Sequence, residues 1–171
     1  MPVSRLRIAV AAVIIVLLPC GAVSAQQATS CTSAPLSDPP RTVVRCPGGL
    51  VIETEAFAQL QILSPAPGGS PNAARVEEKA VLIELQTARP FQIMTPHAIA
   101  SVRGTTYAVD VLPGSTAVFV TEGEVTVAQR MGADTVRLGP GEGVDVVPGE
   151  ALTVRRWPQE RVSALLFRFG R

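Results

Sequence analysis

Residues 91–127, FQIMTPHAIASVRGTTYAVDVLPGSTAVFVTEGEVTV, decide how the rest of the chain is read. Gly104, Gly114 and Gly123 punctuate this stretch, and the same beat continues at Gly132, Gly141 and Gly149. Between the glycines the side chains alternate. Tyr107, Val109 and Val111 share one face of an extended run, with Thr106, Ala108 and Asp110 on the other. Thr116, Val118 and Val120 repeat the pattern, as do Val125 and Val127, Val136 and Leu138, Val144 and Val146, and Leu152 and Val154. Short, evenly spaced strands bounded by turn residues predict a mostly β module, β-solenoid-like or sandwich-like. Alternation on one face predicts one packed and one wet face per strand. Tyr107, Val109, Val118, Val120, Val125 and Val127 are the expected core.

Working outward, residues 80–86 (AVLIELQ) read as a strand. Residues 41–46 and 50–53 are β-branched runs around Pro47-Gly48-Gly49 and predict a hairpin or strand pair. Residues 56–63 fit a helical turn or a strand equally well. Residues 64–73 (SPAPGGSPNA) are a loop by composition. Residues 26–40 are polar and proline-bearing, and predict a flexible tail held by Cys31. At the other end the period changes. Val162, Leu165, Leu166 and Phe169 recur at helical spacing, so residues 157–171 predict an amphipathic helix capping an open end of the β-structure.

Residues 1–25 pair Arg5 and Arg7 with an apolar run and a small-residue site, Ala22-Val23-Ser24-Ala25. This is the pattern of a cleaved secretory signal peptide; a retained anchor is the alternative. Its run is short for a spanning helix, which needs about 20 apolar residues. Cleavage leaves one domain's worth of chain and no stable membrane insertion. The 171 residues carry a formal net charge of +1, and the leader's two arginines account for the excess. So balanced a chain gives no field for nucleic acid. Beyond the leader two cysteines remain, Cys31 and Cys46. An even pair in an exported chain predicts a disulfide, and the leader pattern predicts a periplasmic or secreted protein.

The signature Thr95-Pro96, then Val102-Arg103-Gly104-Thr105 and Tyr107-Ala108-Val109, resembles a FecR domain. The downstream Glu122-Gly123-Glu124-Val125-Thr126-Val127 and the turn Leu138-Gly139-Pro140-Gly141-Glu142-Gly143 are similar to the same family. The resemblance spans residues 80–148. It implies a β-solenoid-like periplasmic module, in a family of transmembrane regulators of iron-uptake signalling. Those regulators control a sigma factor through a cytoplasmic segment, which is not expected before the leader here. The organisation read from the chain is a signal peptide (1–25), a flexible tail (26–40), N-terminal strands and a loop (41–74), a FecR-like β domain (75–156) and a C-terminal helix (157–171).

Each signature residue has a local physical reading. Gly104 and Gly123 fit turns requiring positive φ. Pro96 fits a strand start, and Thr105 a hydroxyl bonded to turn backbone. Arg103 is expected to lock its turn by a two-bond pair with Asp110 or Glu122; contact with a ligand carboxylate or a receptor peptide is the alternative. Catalytic candidates are few. His97 is the single histidine, and Glu122 and Glu124 would share a side if their strand were unbroken. Without a nucleophile motif, a metal-ligand set or a phosphate loop, no enzyme activity, metal or cofactor is expected. The leading function is an exported interaction module that binds an envelope protein or peptide, or a glycan. A scaffolding role in the envelope or a surface-polymer assembly is second, and a carbohydrate-active hydrolase third.

Overall fold

A computed structural model describes residues 31–66 and 69–171. The signal-peptide reading falls on residues outside these. Among the described residues fourteen strands and one helix are formed: β1 Thr32–Ser37, β2 Pro40–Cys46, β3 Leu50–Glu55, β4 Leu60–Leu63, β5 Ala73–Val76, β6 Lys79–Leu85, β7 Pro90–Met94, β8 Ala98–Arg103, β9 Thr106–Leu112, β10 Ser115–Glu122, β11 Val125–Gln129, β12 Thr135–Leu138, β13 Glu142–Val146, β14 Arg155–Arg156 and α1 Gln159–Phe167. The mostly β expectation is met.

The strands make two open sheets. One has eight strands in the order β1-β2-β3-β6-β9-β10-β13-β14, and the other six, β12-β11-β8-β7-β5-β4. Neighbours pair antiparallel except β5 with β7. The glycine beat now has a cause, because successive turns alternate in task. Gly104 passes the chain from β8 in the smaller sheet to β9 in the larger. Gly114 turns it back within the larger sheet, and Gly123 returns it to the smaller. Gly141 lies at the next crossing, before β13. These four glycines have φ between +65° and +83°, where an L side chain is strained.

One apolar core fills the space between the sheets. Tyr107, Val109, Val118 and Val120 of the larger sheet and Val125 and Val127 of the smaller are fully buried in it, as the alternation predicts. Tyr107 also brings its hydroxyl into this core, where it finds no hydrogen-bond partner among the described residues. Burial pushes its pKa upward. An unpaired buried hydroxyl costs free energy that a phenyl ring does not. Tyr107→Phe is therefore expected to keep the fold and to raise stability by about 1 kcal/mol, read by urea melting. A marked loss of stability would mean that the hydroxyl is satisfied.

Two expectations need correction. Residues 32–37, read as part of a flexible tail, form β1, which pairs residue by residue with β2 from Thr32–Arg45 to Ser37–Pro40. The predicted Cys31–Cys46 disulfide is present and closes this pair. Composition missed the strand because all six of its side chains are exposed, leaving no alternation to read. The second correction concerns α1. It covers the outer face of the larger sheet, and not an open end. Ala80, Leu82, Ala108, Ala117 and Phe119 form a second buried cluster with Trp157, Leu165 and Phe169. Strands β6, β9 and β10 thus have two dry faces. The outward alanines are small, so the helix can approach.

Turn and strand readings upstream hold in outline. β2 and β3 pair across Pro47-Gly48-Gly49, as expected for a hairpin. The ambiguous residues 56–63 resolve into a turn followed by β4. β3 joins β6, and β5 joins β7, so the N-terminal strands share sheets with the glycine-punctuated region.

Candidate recognition groove at the signature turn

Most signature residues build the crossovers. Val102 points into the core and Thr105 is 2% exposed. The Thr105 hydroxyl donates to the carbonyl of Glu124 at 3.0 Å, and its carbonyl accepts the Leu85 N–H, also at 3.0 Å. A Cβ on Gly123 would stand 2.9 Å from both the Gly104 carbonyl oxygen and Thr105 Oγ1. The two crossovers are therefore stacked, and Gly123 is needed for closeness as well as for its φ of +80°. Thr95 has an equivalent role at the β7–β8 turn. Its buried hydroxyl accepts the Ala98 N–H at 2.9 Å and meets the Thr116 hydroxyl at 2.9 Å, tying one sheet to the other. Pro96 is exposed beside it.

Arg103 departs from the expectation. It is exposed, and forms no ion pair among the described residues. Asp110 is taken by another arginine, Arg168, at 2.6 Å. The helix end supplies the locking charges. Arg168 also pairs with Glu55, and Arg171 meets Glu53 at 2.5 Å and Glu84 at 2.6 Å. Arg41 donates to Glu53 at 2.9 Å. Four carboxylates on the outer face of β3, β6 and β9 are thus paired with three arginines. Burial raises the Glu55 pKa, but the hydrogen bonds from Arg168 and the Ala80 N–H and the charges of Arg168 and Lys79 outweigh it and hold it below the ordinary value. Sequence reasoning missed this clasp. The signal was available in Arg168 and Arg171 off the helix stripe, and in Glu53 and Glu55 two residues apart.

Trp157 is held at the other end of α1. It stacks on Phe119 with ring centroids 5.1 Å apart, and Arg161 lies over it at 3.4 Å. Arg161 in turn grips Asp145 with both terminal guanidinium nitrogens.

The structure does not bring His97, Glu122 and Glu124 together. His97 sits at the β7–β8 turn, with Nδ1 3.1 Å from the Thr116 hydroxyl. Thr116 is fully buried, so that hydroxyl meets no substrate from solvent. Gly123 breaks the extended run, and Glu124 pairs with Arg137 at 3.3 Å. Glu122 stays on the larger sheet's side. There it lines an open groove of about 340 Å³ with Glu84, Thr106, Thr121, Leu166 and Arg171. This groove continues, through Glu84, Thr106 and Glu122, into a second hollow of about 350 Å³ floored by Gly104 and Thr105. Glu122 has no cationic partner among the described residues. The signature turn and the helix flank thus bound a surface with carboxylates, hydroxyls and a leucine edge. It can accept hydrogen-bond donors and positive charge. No group of three or more potential metal ligands occurs among the described residues, and no described helix is long and apolar enough to cross a membrane.

A layered β module with a helix-covered face, its signature spent on stacked crossovers beside a groove, is the class that fold and site define. Residues 68–126 match the family model described as FecR protein, so the resemblance seen in the signature stands over that segment. Two crystal structures of a candidate anti-sigma factor from Parabacteroides distasonis share the fold. One aligns at a TM-score of 0.61 and 21% identity over 79% of this chain, the other at 0.59 and 22% over 80%. The match spans 64% of the neighbour's chain in each case. No curated protein matches significantly.

Proposed function

We propose that the chain is an exported, non-enzymatic FecR-like module that binds an envelope protein or peptide in the groove beside Gly104 and Glu122, in cell-surface signalling. The observation that carries this reading is the position of the groove. The FecR-matching segment supplies its turn and most of its floor, while Glu122 is left without a cation. Export is supported by the leader pattern, and the Cys31–Cys46 bond suits an oxidising compartment. The non-enzymatic reading is supported by the separation of His97 from both glutamates.

The test is cross-linking of the chain to its partner in the cell envelope, followed by titration of the purified pair. Glu122→Arg is expected to weaken binding at least about tenfold, because it sets a repulsive charge in the groove, while leaving the melting transition unchanged. Glu124→Arg, on the other side of Gly123, is expected to bind normally. Equal binding by Glu122→Arg and the wild type would remove the groove from the interface.

A further inference from the structure

Among the described residues the two sheets leave four edges, and three are blunted. β1 carries Pro35, β14 is the dipeptide Arg155-Arg156, and β12 carries Arg137, paired with Glu124. Charge, proline and shortness are the usual means by which a sheet edge avoids pairing with another chain. The fourth edge, β4, is Leu60-Gln61-Ile62-Leu63, with neither charge nor proline. Leu60 and Ile62 pack only partly against the core, so its apolar side is incompletely covered there. Beside this edge stands Phe57, 90% exposed. Its φ of 66° lies in the left-handed region, in a turn closed by the Ala58 N–H on the Glu55 carbonyl at 3.1 Å. That turn position favours glycine. A phenylalanine strained there and packed on little of its own chain is a side chain on offer to another molecule.

We propose that β4 is a self-association edge, at which a second copy of this chain adds its own β4 antiparallel about a two-fold axis through Gln61. One observation admits a second copy at this edge, and another fixes its register. An uncharged strand meets its own copy without like-charge repulsion, which an edge bearing a single lysine or arginine could not do at its axis. The Gln59 carbonyl accepts the Glu77 N–H at 3.2 Å, so ladder alternation turns Gln61 toward β5 and the backbone groups of Leu60 and Ile62 toward the open edge. Centring on Gln61 pairs those two residues with each other across the axis. It also keeps Leu60 and Ile62 of both copies on the core face, as sheet parity requires. Phe57 then lies level with Pro65 of the second copy. Gln61 faces its own copy as a non-hydrogen-bonded pair, for which Cα atoms stand about 4.5 Å apart.

That separation suits a disulfide. Purified Gln61→Cys under mild oxidant is expected to give a covalent dimer by intact mass, with Cys31–Cys46 retained. Thr135→Cys on β12 is expected to stay monomeric. Sedimentation of the wild type is expected to show a concentration-dependent dimer, weakened at least about tenfold by Gln61→Lys and also weakened by Phe57→Ser. Gln61 and Phe57 are both exposed, so these variants keep the fold. A wild type that is monomeric at every concentration, a dimer indifferent to Gln61→Lys, or equal cross-linking at both cysteines would overturn the proposal. None of these outcomes depends on the groove at Glu122.

Discussion

Gly143→Val is expected to unseat Trp157 and to destabilise the protein by about 3–5 kcal/mol, the cost of losing a large aromatic from a packed site. Gly143 lies on β13 opposite Phe119 of β10. Any Cβ there would stand 2.4 Å from two atoms of the Trp157 indole and 2.8 Å from the Val118 carbonyl oxygen. The carbonyl belongs to a central strand and cannot retreat, so the indole must leave. With it go the Phe119 stack and the Arg161 contact. The chain has one tryptophan, so its fluorescence reports this seat without interference. A red-shifted emission and a lowered urea midpoint are the expected result. Gly114→Ala is the control, because its site has open space and only an unfavourable φ of +83°. It should cost about 1–2 kcal/mol and leave the emission unchanged. Wild-type emission and stability in Gly143→Val would show that the indole does not lie over the strand.

Arg168→Ala is expected to cost about 2–3 kcal/mol near neutral pH, since it strips charged hydrogen bonds from Asp110 and Glu55 at once. Its pH dependence identifies the cause. Glu55 is held below its ordinary value of 4.5. A carboxylate depressed in the folded state adds stability that is present above that value and is lost as pH falls through the folded pKa. Wild type should therefore lose this part of its stability as pH falls below 4.5. The gap between wild type and Arg168→Ala should narrow over the same range. Urea melts at neutral pH and at successively lower pH would show it. A gap independent of pH would assign the effect to lost packing of the arginine stem.

How much of this was legible depends on what each residue had to do. The inward faces of β9, β10 and β11 were readable because a strand with a dry face must alternate, and Tyr107, Val118 and Val127 do. The same rule misled on the outward faces. Ala108 and Ala117 look indifferent in a sequence, yet they are small because α1 lies on them. Phe119 stood among them as a large outward residue, and its stacking partner Trp157 is distant in the chain. Arg103 was misassigned because proximity in sequence to Asp110 suggested a pair, whereas Asp110 is claimed from 58 residues away by Arg168. The site was less legible than the core for the same reason. Glu84 and Glu122 come from different strands, and only the pairing of β6 with β9 and β9 with β10 brings them to one groove.

The helix clasp also sets an order of assembly. Arg168 reaches Glu55 across 113 residues of chain, and Arg171 reaches Glu53 across 118. Contacts of such separation close large loops and form after the hairpins that surround them. A chain emerging from its N-terminus is therefore expected to hold β3, β6 and β9 with an uncovered acidic outer face until α1 arrives. Interactions made after the rate-limiting step act on the way out of the native state and not on the way in. Loss of the clasp should then leave refolding as fast as before while the native protein opens sooner, so that α1 governs the lifetime of the folded molecule more than the ease of reaching it.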